Sequence, residues 1–324
     1  MDRLLLALVV IIGVPAATVL YAWLVEQLLA RLPDRVAKGL RPWLWIAPAM
    51  VLLLSFLVYP VIRTVVLSFM NANSTTFVGL ENFRYTFTDS LMLSAFRNNL
   101  VWLLIFPPVV VTIALLIAVL ADRVKYEGLV KAVVFIPMAI SFVAAGVIWK
   151  LMYDYQPAGR AQTGTLNAFL MGIFPDFEPV AWLINYPINN AALIVIGLWM
   201  WTGFSTVILS AGLKGIPDEL LEASRIDGAN EFQIFRHITF PLLSSTIAVV
   251  LTTQVISVLK IFDIIYVMTN GNFNTDVIAN IMYKQLFTFH HLGRASAIAT
   301  VLLLLTIPVM IFNVRRFNVQ EELR

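Results

Sequence analysis

The chain contains no cysteine, which excludes a disulfide, a thiol nucleophile and a thiolate metal site. It has three histidines, His237, His290 and His291, two of them adjacent, a poor basis for a metal centre. Charged residues make up only 13% of its 324 residues, about half the usual share of a soluble domain. No lysine follows a glycine, so the G-x-x-x-x-G-K-[ST] phosphate loop is missing. The nearest approach runs from Gly159 through Gly164 to Thr165, without the lysine. No hydrolytic triad can be assembled either. A catalytic role is therefore not expected, and no metal or cofactor is expected on this chain. The net charge of +3 is too small to suggest a nucleic-acid partner and is read as orientation signals.

What the chain has in excess is apolar sequence. Hydrophobic residues reach 60% and the mean hydropathy is +0.86. A membrane span needs about 20 apolar residues. Seven stretches qualify, at roughly 4–30, 43–69, 99–121, 129–153, 191–213, 244–268 and 296–314. Unpaired backbone groups are not tolerated in lipid, so each is expected to be a helix. The expected class is an all-α polytopic membrane protein.

Basic residues give the orientation. Arg31, Arg35, Lys38, Arg41, Arg123, Lys125, Lys214, Arg225, Arg236, Arg315, Arg316 and Arg324 fall on alternate loops, so one side collects twelve of the 22. That side is assigned as cytoplasmic, with the N-terminus outside and the C-terminus inside. The first span has one basic residue before it, Arg3 beside Asp2, and four after it. This reverses a secretion signal and reads as a retained helix. The outer loop 154–190 is rich in Gly, Pro, Asn and aromatics. It is long enough to fold over a partner or cover a cavity.

The most distinctive stretch is a charged island, Pro217 to Pro241, between the fifth and sixth spans. Pro217, Asp218 and Glu219 suit a helix start. A helix is expected to about Ile226, with Gly228 as a left-handed break. Ala229, Phe232, Phe235 and Ile238 recur every three residues and suggest a second short helix, which Pro241 ends before the next span. The island holds Asp218, Glu219, Glu222, Asp227 and Glu231 against Lys214, Arg225 and Arg236. Net acidity disfavours the alternative, a helix lying on anionic headgroups, and favours a protein partner.

Glu222-Ala223-Ser224, three residues, Gly228, nine residues and Ile238-Thr239-Phe240-Pro241 resemble the "EAA" loop of binding-protein-dependent ABC importer permeases, with Ser224 and Phe240 as mild departures. Further likeness to sugar permeases of the maltose class lies in Asn98-Asn99, Phe135-Ile136-Pro137, Trp149-Lys150, Gly164, Asn167, Phe262-Asp263, Tyr266, Thr269, Thr275, Tyr283, Gly293, Ala295 and Ala297. The likeness covers about 95–315 well and 40–95 loosely. One stretch departs: Thr269-Asn270-Gly271-Asn272-Phe273 stands where relatives often read T-x-G-G-P, a variant similar to the α-glucoside branch.

The resemblance implies a type I importer transmembrane domain at 96–315 with the coupling loop at 214–243. Residues 1–40 would be an extra N-terminal helix and linker, 41–95 a second span and outer loop, and 316–324 a cytoplasmic tail. It implies a second related permease, an ATPase dimer holding ATP and Mg, and an extracytoplasmic solute-binding protein. The location would be a bacterial-type inner membrane and the cargo a sugar, an oligosaccharide or α-glucoside, moved by alternating access. Glu222, Ala223, Asp227, Gly228, Phe232 and Pro241 would couple to the ATPase.

Polar groups inside spans mark a pathway. Thr252, Thr253, Gln254, Ser257, Lys260 and Asp263 stand out in span six, and Trp199, Trp201, Thr202 and Phe204 offer aromatic faces and a hydroxyl on span five. The resemblance aligns Phe204, Gln254, Val258 and Ile261 with pocket positions of a maltose-type permease. Competing readings stay open: Lys260 and Asp263 as a structural ion pair, and the span-five aromatics as packing. A non-sugar importer permease, an ion-coupled secondary transporter and a membrane-bound enzyme are the rival functions.

Overall fold

The computed structural model describes residues 2–157 and 159–321. Apart from one isolated bridge between Met70 and Phe77, the described residues form helices, turns and loops. The chain divides into two compact units, Met1–Val66 and Leu67–Arg324. Six helices are long and apolar enough to span a membrane, or seven if one bent pair counts as a single span. The expected positive charge at Arg316 and Arg324 lies outside the residues whose side chains are described.

The first unit holds α1 (Asp2–Leu29), α2 (Asp34–Leu53) and most of α3 (Tyr59–Leu67). Glu26 on α1 accepts from Arg41 at 2.8 Å and from the Trp45 indole at 3.0 Å, both on α2. α2 and α3 run on through a π-helical turn at Leu54–Val58.

The second unit comprises α4 (Glu81–Thr88), α5 (Ser90–Ala121), α6 (Glu127–Phe135), α7 (Phe142–Met152), α8 (Thr165–Ile173), α9 (Ile188–Lys214), α10 (Asp218–Ile226), α11 (Glu231–Ile234), α12 (Phe240–Leu259), α13 (Asp263–Met268), α14 (Ile278–Tyr283) and α15 (Leu292–Glu321). Polar side chains start several of them. Asp89 Oδ1 accepts from the Leu91 and Met92 amides at α5, and Ser141 Oγ accepts from the Ala144 amide at α7. These bonds satisfy amides that have no intrahelical partner.

The core is built on α5 against α9. Trp102, Phe106 and Val110 pack with Leu193, Ile196 and Met200, and with Val258 and Ile265. A second cluster joins Met92 and Ala95 to Ile278, Ile281 and Ile298, and a third joins Ala114 and Ala118 to Leu209, Leu243 and Val250. Gly203 lets α9 touch the last turn of α6, because a Cβ there would lie 2.2 Å from the Val134 carbonyl.

Three helices depart from the sequence expectation. The fourth span is not straight: α6 ends in a 3₁₀ turn at Ile136–Ala139, and α7 leaves at 99°. Pro137 has no amide to continue the ladder, and Ser141 caps a new start. The sixth span stops at Leu259, and α13 begins after a break. The Val258 carbonyl, freed there, accepts from Asn99 Nδ2 at 3.2 Å and from the Ile261 amide. Pro241 does not end the second short helix. The helix runs unbroken from Glu231 to Leu259, because a π turn at Phe235–Thr239 widens the ladder just before the proline. The π turn at Leu54–Val58 stands in the same relation to Pro60.

Candidate functional site: an exposed docking segment and the helix that leaves it

Helix α10 starts after Pro217 with Asp218 and Glu219 in its first turn, where the helix dipole favours acids. It ends at Ile226, and Gly228 turns the chain with φ +85°. Asn230 and Gln233 then form a reciprocal capping box, with side chain to amide distances of 2.8 and 2.9 Å. The bent helix pair is as expected, with the bend at Gly228. Its apolar edge differs. Ile234 and Thr239 are buried, whereas Phe232 is 69% exposed and Ile226 is 86% exposed. Glu222, Ala223, Asp227 and Pro241 are also exposed.

Two ion pairs fix this segment. Glu231 accepts from Arg225 Nε at 3.0 Å and from Arg123, on the α5–α6 connection, at 3.0 Å. The Glu231 hydrogen bond holds the Arg225 pKa above its ordinary value. Behind the segment, Glu127 on α6 pairs with Lys131 and with Lys214 at the end of α9. Sequence reasoning counted Arg123 only as an orientation charge and passed over Glu127. An isolated acid at the mouth of an apolar span was the available signal for Glu127.

At the other end of α12 the pathway candidates separate. Trp201, Ser257, Lys260 and Asp263 line one cleft of about 80 Å3 with Phe106 and Phe142. Among the described residues, no ion pair joins Lys260 to Asp263. The helix ends at Lys260, which removes the i, i+3 geometry such a pair needs. Both side chains are exposed. Gln254 is instead fully buried and donates to Ser205 Oγ on α9 at 3.1 Å. Its Oε1 has no partner in this structure. Thr202 donates to the Leu198 carbonyl at 2.6 Å, and Trp199 meets Trp149 edge-on at 5.7 Å. Phe204 meets Trp201 edge-on at 6.1 Å. Trp199 and Gln254 therefore tie helices together, the Thr202 and Ser257 hydroxyls bond carbonyls of their own helices, and Lys260 and Asp263 stand exposed at the cleft. Phe106 and Phe142 were not singled out from sequence, because nothing local distinguishes them from other apolar span residues.

The opposite end of the unit is braced by asparagines. Asn98 Nδ2 donates to the Asn274 and Asp276 carbonyls, each at 2.9 Å. Asn99 Oδ1 accepts from the Ile278 amide at 2.9 Å, and Asn189 Nδ2 donates to the Phe273 carbonyl at 2.7 Å. The Tyr153 hydroxyl donates to the Ala192 carbonyl at 3.1 Å.

Helices of lipid-spanning length, one of them fed directly by an exposed, charged segment, define a multi-span membrane protein. Residues 99–315 match the family described as binding-protein-dependent transport system inner membrane component, and the chain belongs to that family. The osmoprotective compounds uptake permease protein GgtC of Synechocystis sp. is 53% identical over 281 residues, covering 87% of this chain and 100% of that protein. The alpha-glucoside transport system permease protein AglF of Rhizobium meliloti is 46% identical over 282 residues, covering 87% of this chain and 83% of that protein. A bacterial ABC transporter involved in import of the acidic polysaccharide alginate has a chain of the same fold, with TM-score 0.72 and 25% identity. That match covers 87% of this chain and 99% of the other. The protein is thus an ABC transporter permease with the type I importer fold.

Proposed function

We propose that this chain is the translocating subunit of an ATP-driven importer for a sugar, an oligosaccharide or α-glucoside, working by alternating access. One observation carries the reading: the exposed 217–230 segment leads into a single 29-residue helical run, Glu231–Leu259, whose far end lines the Trp201–Lys260 cleft. A push on the segment therefore moves one wall of that cleft. The partner that pushes is an ATPase dimer holding ATP and Mg. Glu222 and Asp227 meet its basic groups, Phe232 and Ile226 fill its apolar groove, and Gly228 keeps the bend. A second, related permease completes the path, and an extracytoplasmic binding protein delivers the sugar. The N-terminus lies outside and the C-terminus in the cytoplasm. The first helix is an addition to the transporting domain.

The relative named for alpha-glucoside transport supports the sugar class. The cleft's lining offers an indole, a hydroxyl, an amine and a carboxylate to a polyhydroxylated ring, and at about 80 Å3 it must open before a ring can enter.

The test is reconstitution with a partner permease, an ATPase and a binding protein. ATP-dependent uptake of an α-glucoside, stimulated by the binding protein and lost in Glu222→Lys, is expected. Uptake that survives Glu222→Lys at the wild-type rate overturns the coupling role. Proton-driven uptake by the isolated chain overturns the whole reading.

A further inference from the structure

The departure at Thr269–Phe273 has a structural outcome at the end of the unit opposite the docking segment. A cleft of about 440 Å3 opens there, a size in the range of small-molecule sites. Lys150, Asp154, Tyr155, Trp182, Asn272 and Phe273 line it. One wall is set by buried Asn167, which donates to the Asp154 and Val180 carbonyls and accepts from the Trp182 indole at 2.9 Å. The other wall is the 269–276 loop. Asn270, Phe273 and Asn274 all hold positive φ there, and Phe273 at 57° is unusual for a bulky side chain. Asn189 grips the Phe273 carbonyl, and Asn98 and Asn190 grip that of Asn274. Backbone strain of this kind persists only where the surroundings impose it, and it clusters at functional sites.

The cleft presents polar groups that no described residue uses. The Lys150 ammonium, the Tyr155 hydroxyl and the Asn272 amide make no hydrogen bond or ion pair among the described residues. Phe273 holds its ring 52% exposed. Trp182 spends its indole N–H on Asn167 and keeps its ring for the cleft. A concave space with aromatic faces and free donors and acceptors around it suits a glycosyl ring. A protein contact of comparable strength would spread over a flatter surface.

We propose that this cleft is an outer sugar subsite, which takes one ring of the substrate before it reaches the Trp201–Lys260 cleft. The proposal rests on the sugar-importer reading. Asn272 and Phe273 supply an amide and a stacking face, where a glycine and a proline would supply neither.

The test uses the complete importer in proteoliposomes with its binding protein and radiolabelled maltose and methyl α-D-glucoside. Phe273→Ala and Asn272→Ala should each lower uptake about tenfold. Tyr155→Phe should lower it about threefold. Phe273→Tyr keeps the ring and should keep uptake. Affinity of the complex for the binding protein should not change in any variant. Unchanged uptake in the alanine variants overturns the subsite and leaves the sugar reading standing. A loss of uptake matched by lost binding-protein affinity also overturns it and makes the loop a protein contact. Failure of the wild type to carry either sugar sinks the sugar reading, and the subsite falls with it.

Discussion

At one end of the second unit, the docking segment carries Glu222, Asp227, Ile226 and Phe232 in the open, and its tethers are exposed ion pairs through Glu231. At the other end, buried Asn98, Asn99, Asn167 and Asn189 bind backbone groups of the loops they support. The chemistry differs because the energetics differ. A surface ion pair contributes about 0–1 kcal/mol and is screened by salt. A buried amide that loses its partners costs several times more. The 217–241 end is thus tied by its own capping bonds and only loosely tethered to the rest of the unit. The asparagine-braced end is locked and can hold backbone strain.

That contrast can be broken by mutation. The largest effect is expected at the locked end. Asn99→Ala orphans the Ile278 amide, leaves the Val258 carbonyl with the Ile261 amide alone, and should cost about 1–3 kcal/mol, read as a lower thermal midpoint in detergent. A comparably small loss would mean that water replaces the side chain and the brace is not the lock described.

At the docking end, Gly228→Val places a branched side chain at φ +85° with nothing within 4 Å of its Cβ. The cost is backbone strain alone, about 1–2 kcal/mol. Binding-protein-stimulated ATPase activity and uptake should fall far more than stability does, whereas Gly228→Asn, which tolerates that region, should keep both. Equal loss of stability and transport in the valine variant would make Gly228 a folding residue only.

Smaller still is the tether. Glu231→Gln removes two exposed ion pairs, so the thermal midpoint should stay in place and the sugar transported per ATP should fall less than about fivefold. The effect should shrink as salt rises, and a salt-independent loss would point to a tighter role.

The smallest effect concerns pH at the start of α15. Burial, with Arg294 nearby, lowers the His291 pKa, and its Nδ1 accepts from the Arg294 amide at 3.2 Å. The folded state therefore prefers neutral histidine. This contribution is present above the unfolded value of about 6.5 and is lost as pH falls below it. Stability should drop slightly from about pH 7 to about pH 5, and His291→Asn should remove that slope.

The class and the docking segment were legible because their causes are local. Lipid demands helices wherever about 20 apolar residues run together. Pro217, Gly228, Asn230 and Gln233 act on their own few residues, and the bent pair follows from them. Legibility failed where a distant residue decides. The break after Leu259 depends on Asn99, 159 positions away, and Gln254 is turned from the path by Ser205, 49 positions away. Pro241 misled because its ordinary effect was absorbed by a π turn, a device that leaves no residue signature.

The sequence by itself determined a helical membrane protein without a phosphate loop in it and with a charged, bent segment between two of its spans. Only the tertiary structure decided which polar side chains are spent on helix contacts and which face a cleft. Periodicity places a side chain on one face of its own helix, but its partner is chosen by the close approach of helices far apart in the chain. For that reason Trp201 and Lys260 meet at one cleft and Asn272 and Phe273 line another, and neither grouping follows from spacing along the chain.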